Sequence, residues 1–276
     1  MRKQALSLPF LALAAATSLA SAQAVPTTQP ALLQVGREEI KPGRGGDHAK
    51  WEAGWPAAYA KANSPDAYLA LASLTGASEV WYVSSYASHA ALGEGMKRDA
   101  GNAVLSAELN RLSKGDGEFL TSLRTFQAVA RTDLSLGAFP DVARMRFWEI
   151  TIFRVRPGHD GQFEAAAKAY ISAAKRSAPS TNFRTYEVIA GMTGPTFLVF
   201  SSVPAFGDLD KLAANGQEIF KGATAEEGAA LQKFALEGQL NVETNRYRLD
   251  PSQSYVSKET RAVDPDFWMP KVPKKP

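Results

Sequence analysis

Two of the chain's three histidines stand where they could do chemistry. His48 lies at the start of a predicted helix, and Glu52 follows four residues later, so both side chains share one helix face. Trp55 and Tyr59 continue that face at helical spacing. A neutral imidazole beside a carboxylate can act as a general base, or as a metal or haem ligand with a supporting carboxylate. We therefore expect a polar site here, with Trp55 and Tyr59 as candidate ligand-binding residues.

His89 opens a second predicted helical region. The second half of the chain has Phe163 and Phe206 where the first half has His48 and His89. If the strands before these two helices are parallel neighbours, both helices start at the same sheet end and the two histidines approach each other. Helix N-termini favour an anion or a polarised carbonyl. We therefore take His48, Glu52 and His89 as candidate catalytic residues. Alternatively, both histidines are half-buried residues that hydrogen-bond to loops at the core edge.

Strand alternation gives a second set of candidates. It predicts that Val35 and Arg37 lie on the helix-covered face of the first strand, which directs Glu38 into a closed barrel. The same pattern directs Glu149 inward in the second half. Confinement raises the pKa of a carboxyl, and paired carboxyls can do acid–base work. Glu38 and Glu149 are therefore candidate ligand-binding residues, unless they form structural salt bridges or a one-residue register shift turns them to water.

The elements that position these residues form a pattern that occurs twice. Lys41-Pro42-Gly43 and Arg156-Pro157-Gly158 each end a predicted strand and lead into a helix, because proline stops a ladder and glycine permits the turn. Each third strand ends in Ser-Ser, at 84–85 and at 201–202. The predicted strands are 32–41, 67–74, 80–86, 125–132, 145–156, 184–190, 196–203 and 239–248. Helices are predicted at 47–62 and 160–176, and longer helical regions at 87–123 and 205–236.

The order strand, helix, strand, strand, helix, strand is the ferredoxin-like plan. We predict an α+β protein in which two tandem ferredoxin-like βαββαβ repeats, 23–133 and 134–249, close into an intramolecular α/β barrel. The repeated basic-Pro-Gly turn and the Ser-Ser strand end resemble the dimeric α/β-barrel superfamily, with its NIPSNAP-like and antibiotic-biosynthesis-monooxygenase-like groups nearest. The resemblance implies a barrel with a cavity, used in relatives by small monooxygenases, haem-degrading enzymes and ligand binders. It assigns no catalytic residue here.

The two ends of the chain differ from its body. A basic start, an apolar run at 5–16 and Ala20-Ser21-Ala22 are typical of a signal peptide, residues 1–22, cleaved before Gln23. This predicts a periplasmic or secreted protein. The run is too short to span a bilayer, so no stable membrane insertion is expected. Residues 250–276 form a Pro/Lys-rich tail with a docking point at 267–269.

Composition excludes several classes of function. The chain has no cysteine, which removes disulfides, thiol catalysis and zinc–thiolate sites. No phosphate-binding loop, GxSxG or HExxH motif occurs, and we predict no metal site. The net charge of +3 comes from lysines and arginines at the two ends, so no nucleic-acid partner is expected.

Three functions remain. The first is binding of a small apolar or aromatic ligand in a barrel pocket. The second is a monooxygenase-like or haem-linked oxidoreductase, and the third is a structural or interaction protein. No cofactor is expected, haem is left open, and a homo-oligomer is compatible with all three.

Overall fold

A computed structural model describes residues 24–269, so the predicted leader at 1–22 lies outside the described residues. The strands are β1 (Leu32–Ile40), β2 (Tyr68–Ser73), β3 (Glu79–Tyr86), β4 (Leu120–Ala130), β5 (Phe147–Val155), β6 (Arg184–Ala190), β7 (Thr196–Val203) and β8 (Gln239–Tyr255). The helices are α1 (Gly45–Glu52), α2 (Gly54–Lys61), α3 (His89–Gly101), α4 (Ala103–Asp116), α5 (Asp160–Ser177), α6 (Leu209–Lys221), α7 (Ala225–Lys233), α8 (Lys258–Val263) and α9 (Pro265–Trp268). None of these helices, over the described part of the chain, has the length and apolar character needed to cross a bilayer.

The strands close into one barrel in the order β1-β3-β2-β8-β5-β7-β6-β4. Every neighbouring pair is antiparallel. The predicted α+β class with a closed barrel is therefore confirmed. β8 is longer than predicted, because it pairs with β5 as far as Arg248 and then continues along β2 to Tyr255.

The barrel interior is filled by large apolar side chains. Val35, Trp81, Phe126, Ile150 and Tyr247 are almost completely buried there. Since side chains alternate along a strand, the neighbours of Val35 and Ile150 point outward to the helix layer. The prediction that Glu38 and Glu149 face into the barrel is therefore wrong. Alternation separates the two faces of a strand, but it does not say which face lies inside.

Helix boundaries follow local capping. The predicted helix 47–62 is divided at Ala53 into α1 and α2. The predicted helical region 87–123 gives α3 and α4, which meet at Asn102, whose side chain accepts a hydrogen bond from the Leu105 N–H as an N-cap. β4 then begins at Leu120, before the predicted start.

The last described residues pack against one end of the barrel. Trp268 is 5% exposed, and its indole N–H donates a hydrogen bond of 3.1 Å to the Ala143 carbonyl. Arg146 pairs with Asp264 at 2.5 Å and lies over the Phe267 ring. These contacts hold α8 and α9 against the barrel core.

Candidate functional site

Four ionisable side chains meet between the outer face of the barrel and the helices of the first half. We call Glu38, His48, Glu52 and Asp116 the acid–histidine cluster. Their exposed fractions are 8%, 0%, 3% and 3%, respectively. One donor atom from each lies within 4.8 Å of the others. His48 Nε2 is 3.0 Å from Glu38 Oε2 and 3.6 Å from Asp116 Oδ1.

Three elements bring these residues together. Glu38 points outward from β1, and the turn at Gly43, with φ +80°, directs the chain back over it as α1. α1 supplies His48 and Glu52. The C-terminal end of α4 supplies Asp116, and it is held against α1 because the Trp51 indole N–H donates to the Leu112 carbonyl at 2.9 Å.

Burial changes the ionisation of the cluster. It raises the pKa of the Glu38 carboxyl to about 8, and the charge of Asp116 adds to this effect. It also raises the pKa of Glu52 to about 9, with further contributions from Glu38 and Asp116. Burial lowers the pKa of the His48 imidazole, against the attraction of Asp116. Without a bound cation, the cluster therefore holds protons on carboxyls at neutral pH.

Several polar atoms in and beside the cluster lack partners. His48 Nδ1, Glu52 Oε1 and Asp116 Oδ1 are buried and make no hydrogen bond. The same holds for the Trp55 indole nitrogen and the Tyr68 hydroxyl nearby. Because native structures satisfy most buried polar groups, this local concentration marks the cluster as a place built for more than packing.

The two aromatic candidates on the same helical stretch, Trp55 and Tyr59, pack within the first half of the protein and against β8. Tyr59 stacks on Tyr255 with ring centroids 5.7 Å apart and meets the Tyr68 ring edge-on at 5.9 Å. Trp55 packs with Tyr59 against the core formed by α2 and α4. Both aromatic rings therefore pack against other side chains of the first half and of β8.

His89 does not join the cluster. β1 and β3 are antiparallel, so the helices that follow them start at opposite ends of the sheet. His89 is exposed at the start of α3, while His48 is completely buried at the start of α1. The expectation that the two histidines meet is wrong, because it assumed parallel neighbours. In the split βαβ plan the third strand lies between the first and second, and runs against both.

Glu149 belongs to a different site. In the second half, a cavity of about 450 Å³ lies between the barrel's outer face and helices α5–α7. Glu149 lines it and pairs with Arg246 at 3.1 Å. Phe163, the counterpart of His48, stacks on Phe197 with ring centroids 4.0 Å apart and also lines the cavity.

Sequence reasoning missed Asp116. It lies far from His48 along the chain and shares no spacing pattern with it. One signal was available, because a carboxylate at a helix C-terminus is disfavoured by the helix dipole and needs a reason to be there.

No protein-family model matches the sequence, and no curated protein matches it either. Solved structures do share its architecture. An anthrone oxidase-like protein is 16% identical with a TM-score of 0.55, over 82% of this chain and 94% of that one. A proposed monooxygenase from Fusobacterium nucleatum is 9% identical with a TM-score of 0.52, over 80% of this chain and 92% of that one. Another proposed monooxygenase, from Lactobacillus acidophilus, is 7% identical with a TM-score of 0.50, over 83% of this chain and 97% of that one. At these identities the likeness shows the fold alone, an α+β protein with a closed eight-stranded antiparallel barrel, and leaves function to the sites.

A haem bound through His48 does not fit the cluster. The Nε2 atom of His48 faces the Glu38 and Asp116 carboxylates at 3.0 and 3.6 Å, and its Nδ1 atom is enclosed by protein. An axial ligand needs one ring nitrogen free to face the iron of a flat macrocycle. His48 therefore provides no axial ligand for haem.

Proposed function

We propose that the protein binds a small apolar or aromatic molecule in the cavity between β5–β8 and α5–α7. The observation that carries this proposal is the cavity itself. Its volume of about 450 Å³ lies in the range of small-molecule sites, about 300–1,000 Å³. Its wall is mainly aromatic and aliphatic, with Phe153, Tyr170, Phe183 and Phe220 among its members. Apolar surface of this kind favours a ligand that leaves water.

The polar groups of the wall indicate what the ligand carries. Thr181 lines the cavity, and its hydroxyl is buried without a partner. The Thr151 and Thr244 hydroxyls bond to each other at 2.9 Å, and Glu149 is engaged by Arg246. The Thr181 hydroxyl is therefore the group best suited to a ligand hydroxyl or carbonyl.

Ligand binding is tested by calorimetry with naphthalene and 1-naphthol as probes. Ala167→Phe places a ring in the cavity and is expected to abolish binding of both. Ala165→Phe, on the exposed side of the same helix, is the matched control and should bind normally. Thr181→Val should weaken 1-naphthol about 2- to 10-fold and leave naphthalene unchanged.

If neither probe binds the wild type, or if Ala167→Phe binds as well as Ala165→Phe, the ligand-binding proposal fails. The remaining functions are then the oxidoreductase described next and a structural or interaction protein.

The second candidate function is an oxidoreductase acting at the acid–histidine cluster. It is favoured by buried carboxyls whose raised pKa suits proton transfer near neutral pH. The likeness to an anthrone oxidase-like protein supports it only at the level of fold. Oxygen uptake with anthrone is the test. Uptake lost in Glu52→Gln and kept in Glu108→Gln, an exposed site on α4, would favour the enzyme. No uptake by the wild type would remove it.

We also propose that the chain is exported and cleaved before Gln23. The basic start, the apolar run at 5–16 and the Ala20-Ser21-Ala22 sequence support this. Cell fractionation with intact-mass measurement is the test. The expected product begins at Gln23 outside the cytoplasm, whereas a full-length chain confined to the cytoplasm would contradict export.

We likewise propose that the two halves of the chain are tandem repeats of one ferredoxin-like unit. Each half contributes four adjacent strands in the same relative order, β4-β1-β3-β2 and β8-β5-β7-β6, which supports duplication. The turns at Gly43 and Gly158 also match, with φ of +80° and +85°. Superposition of the two halves in a crystal structure is the test, and helices that fail to superpose along with the strands would argue against it.

A further inference from the structure

We propose that Glu38, His48, Glu52 and Asp116 bind one divalent cation of the Mn²⁺ or Fe²⁺ type. This site lies in the first half and is independent of the ligand cavity in the second half. Three carboxylates and one imidazole, each at most 8% exposed, present donor atoms within 4.8 Å of one another. Such a donor set is typical of a first-row metal centre.

The distances agree with donors arranged around a single ion. Bonds of about 2.0–2.2 Å place adjacent donors about 3.0–3.5 Å apart and opposite donors about 4.4 Å apart. His48 Nε2 lies 3.0 Å from Glu38 Oε2 and 3.6 Å from Asp116 Oδ1. No two of the four donor atoms are more than 4.8 Å apart, so a shift of a few tenths of an ångström brings all of them within bonding range of one ion. The side chains therefore need little rearrangement to bind an ion.

The cluster is also left incomplete by the protein. Asp116 is 3% exposed, and its Oδ1 is directed at His48 but makes no hydrogen bond. Glu52, also 3% exposed, has an unpartnered Oε1. Within residues 24–269, no lysine or arginine pairs with Glu38, Glu52 or Asp116. A divalent cation would displace the carboxyl protons and coordinate the unpartnered oxygens.

The choice of metal follows from the donors. Carboxylate oxygens suit Mg²⁺, Ca²⁺ and Mn²⁺, whereas imidazole suits Zn²⁺, Fe²⁺ and Ni²⁺. A site with three oxygens and one nitrogen lies between these groups, which favours Mn²⁺ or Fe²⁺. The absence of cysteine removes competition from softer thiolate sites.

The test uses Mn²⁺ and the full mature chain. Protein treated with chelator is incubated with Mn²⁺, and a second sample is refolded with it, because the cluster is buried. Bound metal is counted after desalting, and electron paramagnetic resonance reports its ligands. We expect one Mn²⁺ per chain, a raised Tm, and hyperfine broadening from the His48 nitrogen.

His48→Phe, which copies the second half, and Asp116→Asn should weaken Mn²⁺ binding by at least about 100-fold, since loss of a second-shell partner alone costs about 10- to 100-fold. Glu52→Gln keeps the side-chain shape and serves if the other variants do not fold. Glu108→Gln on the exposed face of α4 should bind normally. Folded wild type that takes up no stoichiometric Mn²⁺ by either route, or equal Mn²⁺ binding by Asp116→Asn and the control, would overturn the site. Ala167→Phe should leave the metal in place, so failure of the ligand proposal is distinguishable.

Discussion

Glu38 and Glu52 show how position alone alters a carboxyl group. Exposed glutamates such as Glu108 pair with a neighbouring arginine and have a lowered pKa. Glu38 and Glu52 are buried beside each other and beside Asp116, so their pKa rises. The difference lies in burial and in the sign of the neighbouring charges. Glutamates in the same half of the molecule thus have pKa values shifted in opposite directions, lowered for Glu108 and raised for Glu38 and Glu52.

This arrangement predicts that the metal-free protein loses stability as pH rises. Glu38 and Glu52 have folded-state pKa values of about 8 and 9, above the ordinary value of 4.5. At pH values between 4.5 and the folded-state pKa, each carboxyl keeps a proton in the folded protein that it releases on unfolding. The free energy of unfolding therefore falls by up to about 1.4 kcal/mol per pH unit for each carboxyl as pH rises through this range. Urea unfolding in chelator from about pH 6 to about pH 9 measures it. Glu52→Gln should flatten the slope, and a wild-type stability independent of pH in this window would contradict the assignment.

At the scale of elements, the site depends on how closely α4 approaches α1. A Cβ added at Gly115 would lie 2.1 Å from the Trp51 ring, so only glycine permits this contact. Asp116 is the next residue, and the close approach places its carboxylate against His48. The glycine therefore supports the cluster without touching it.

Gly115→Ala tests this contact. Helix propensity alone would make alanine more stable by about 1 kcal/mol. The overlap with Trp51 is expected to outweigh that gain and destabilise the protein by about 1–3 kcal/mol. Gly93→Ala in α3, where an added Cβ meets open space, is the control and should stabilise it. Thermal unfolding compares the stabilities of both variants. A Gly115→Ala protein as stable as Gly93→Ala would show that the close approach of Gly115 to Trp51 does not require glycine.

Elements were more predictable from sequence than their neighbours in space. All eight strands lie near their predicted positions, because alternation and turn residues are local signals. Strand direction and inward face are set by partners distant in the chain, and there the prediction failed for Glu38, Glu149 and His89. His48 and Glu52 share a helix face and do lie together. Asp116 could not be placed, because the contact between α4 and α1 has no counterpart in local sequence.

At the scale of the whole molecule, the C-terminal segment closes one end of the barrel. Trp268 packs into the same core as Trp148 and Leu249. The last strand, β8, carries the chain across the junction of the two halves before α8 and α9 return to this core. Folding of the barrel and docking of the segment are therefore expected to be cooperative.

Trp268→Ala should cost about 3–5 kcal/mol, since it empties a buried site and removes one of the two side-chain hydrogen bonds that the Ala143 carbonyl accepts. Met269→Ala, at a neighbouring position that is 52% exposed, should change stability by less than about 0.5 kcal/mol. Denaturant unfolding followed by circular dichroism compares the two. Equal stabilities would mean that the segment is dispensable.

The closed strand order restricts how copies of this protein could associate. Every strand within residues 24–269 has a neighbour on both sides, so no strand leaves a whole edge free for strand addition from another chain, although β4 pairs with β6 only over 127–130. A homo-oligomer is therefore expected to use mainly side-chain contacts on the outer surface. Exposed apolar residues there include Phe206, Phe220, Leu236 and Leu240. Leu74, Met96, Val104 and Leu123 of the first half are exposed as well, so the apolar surface available for self-association extends over both halves of the molecule.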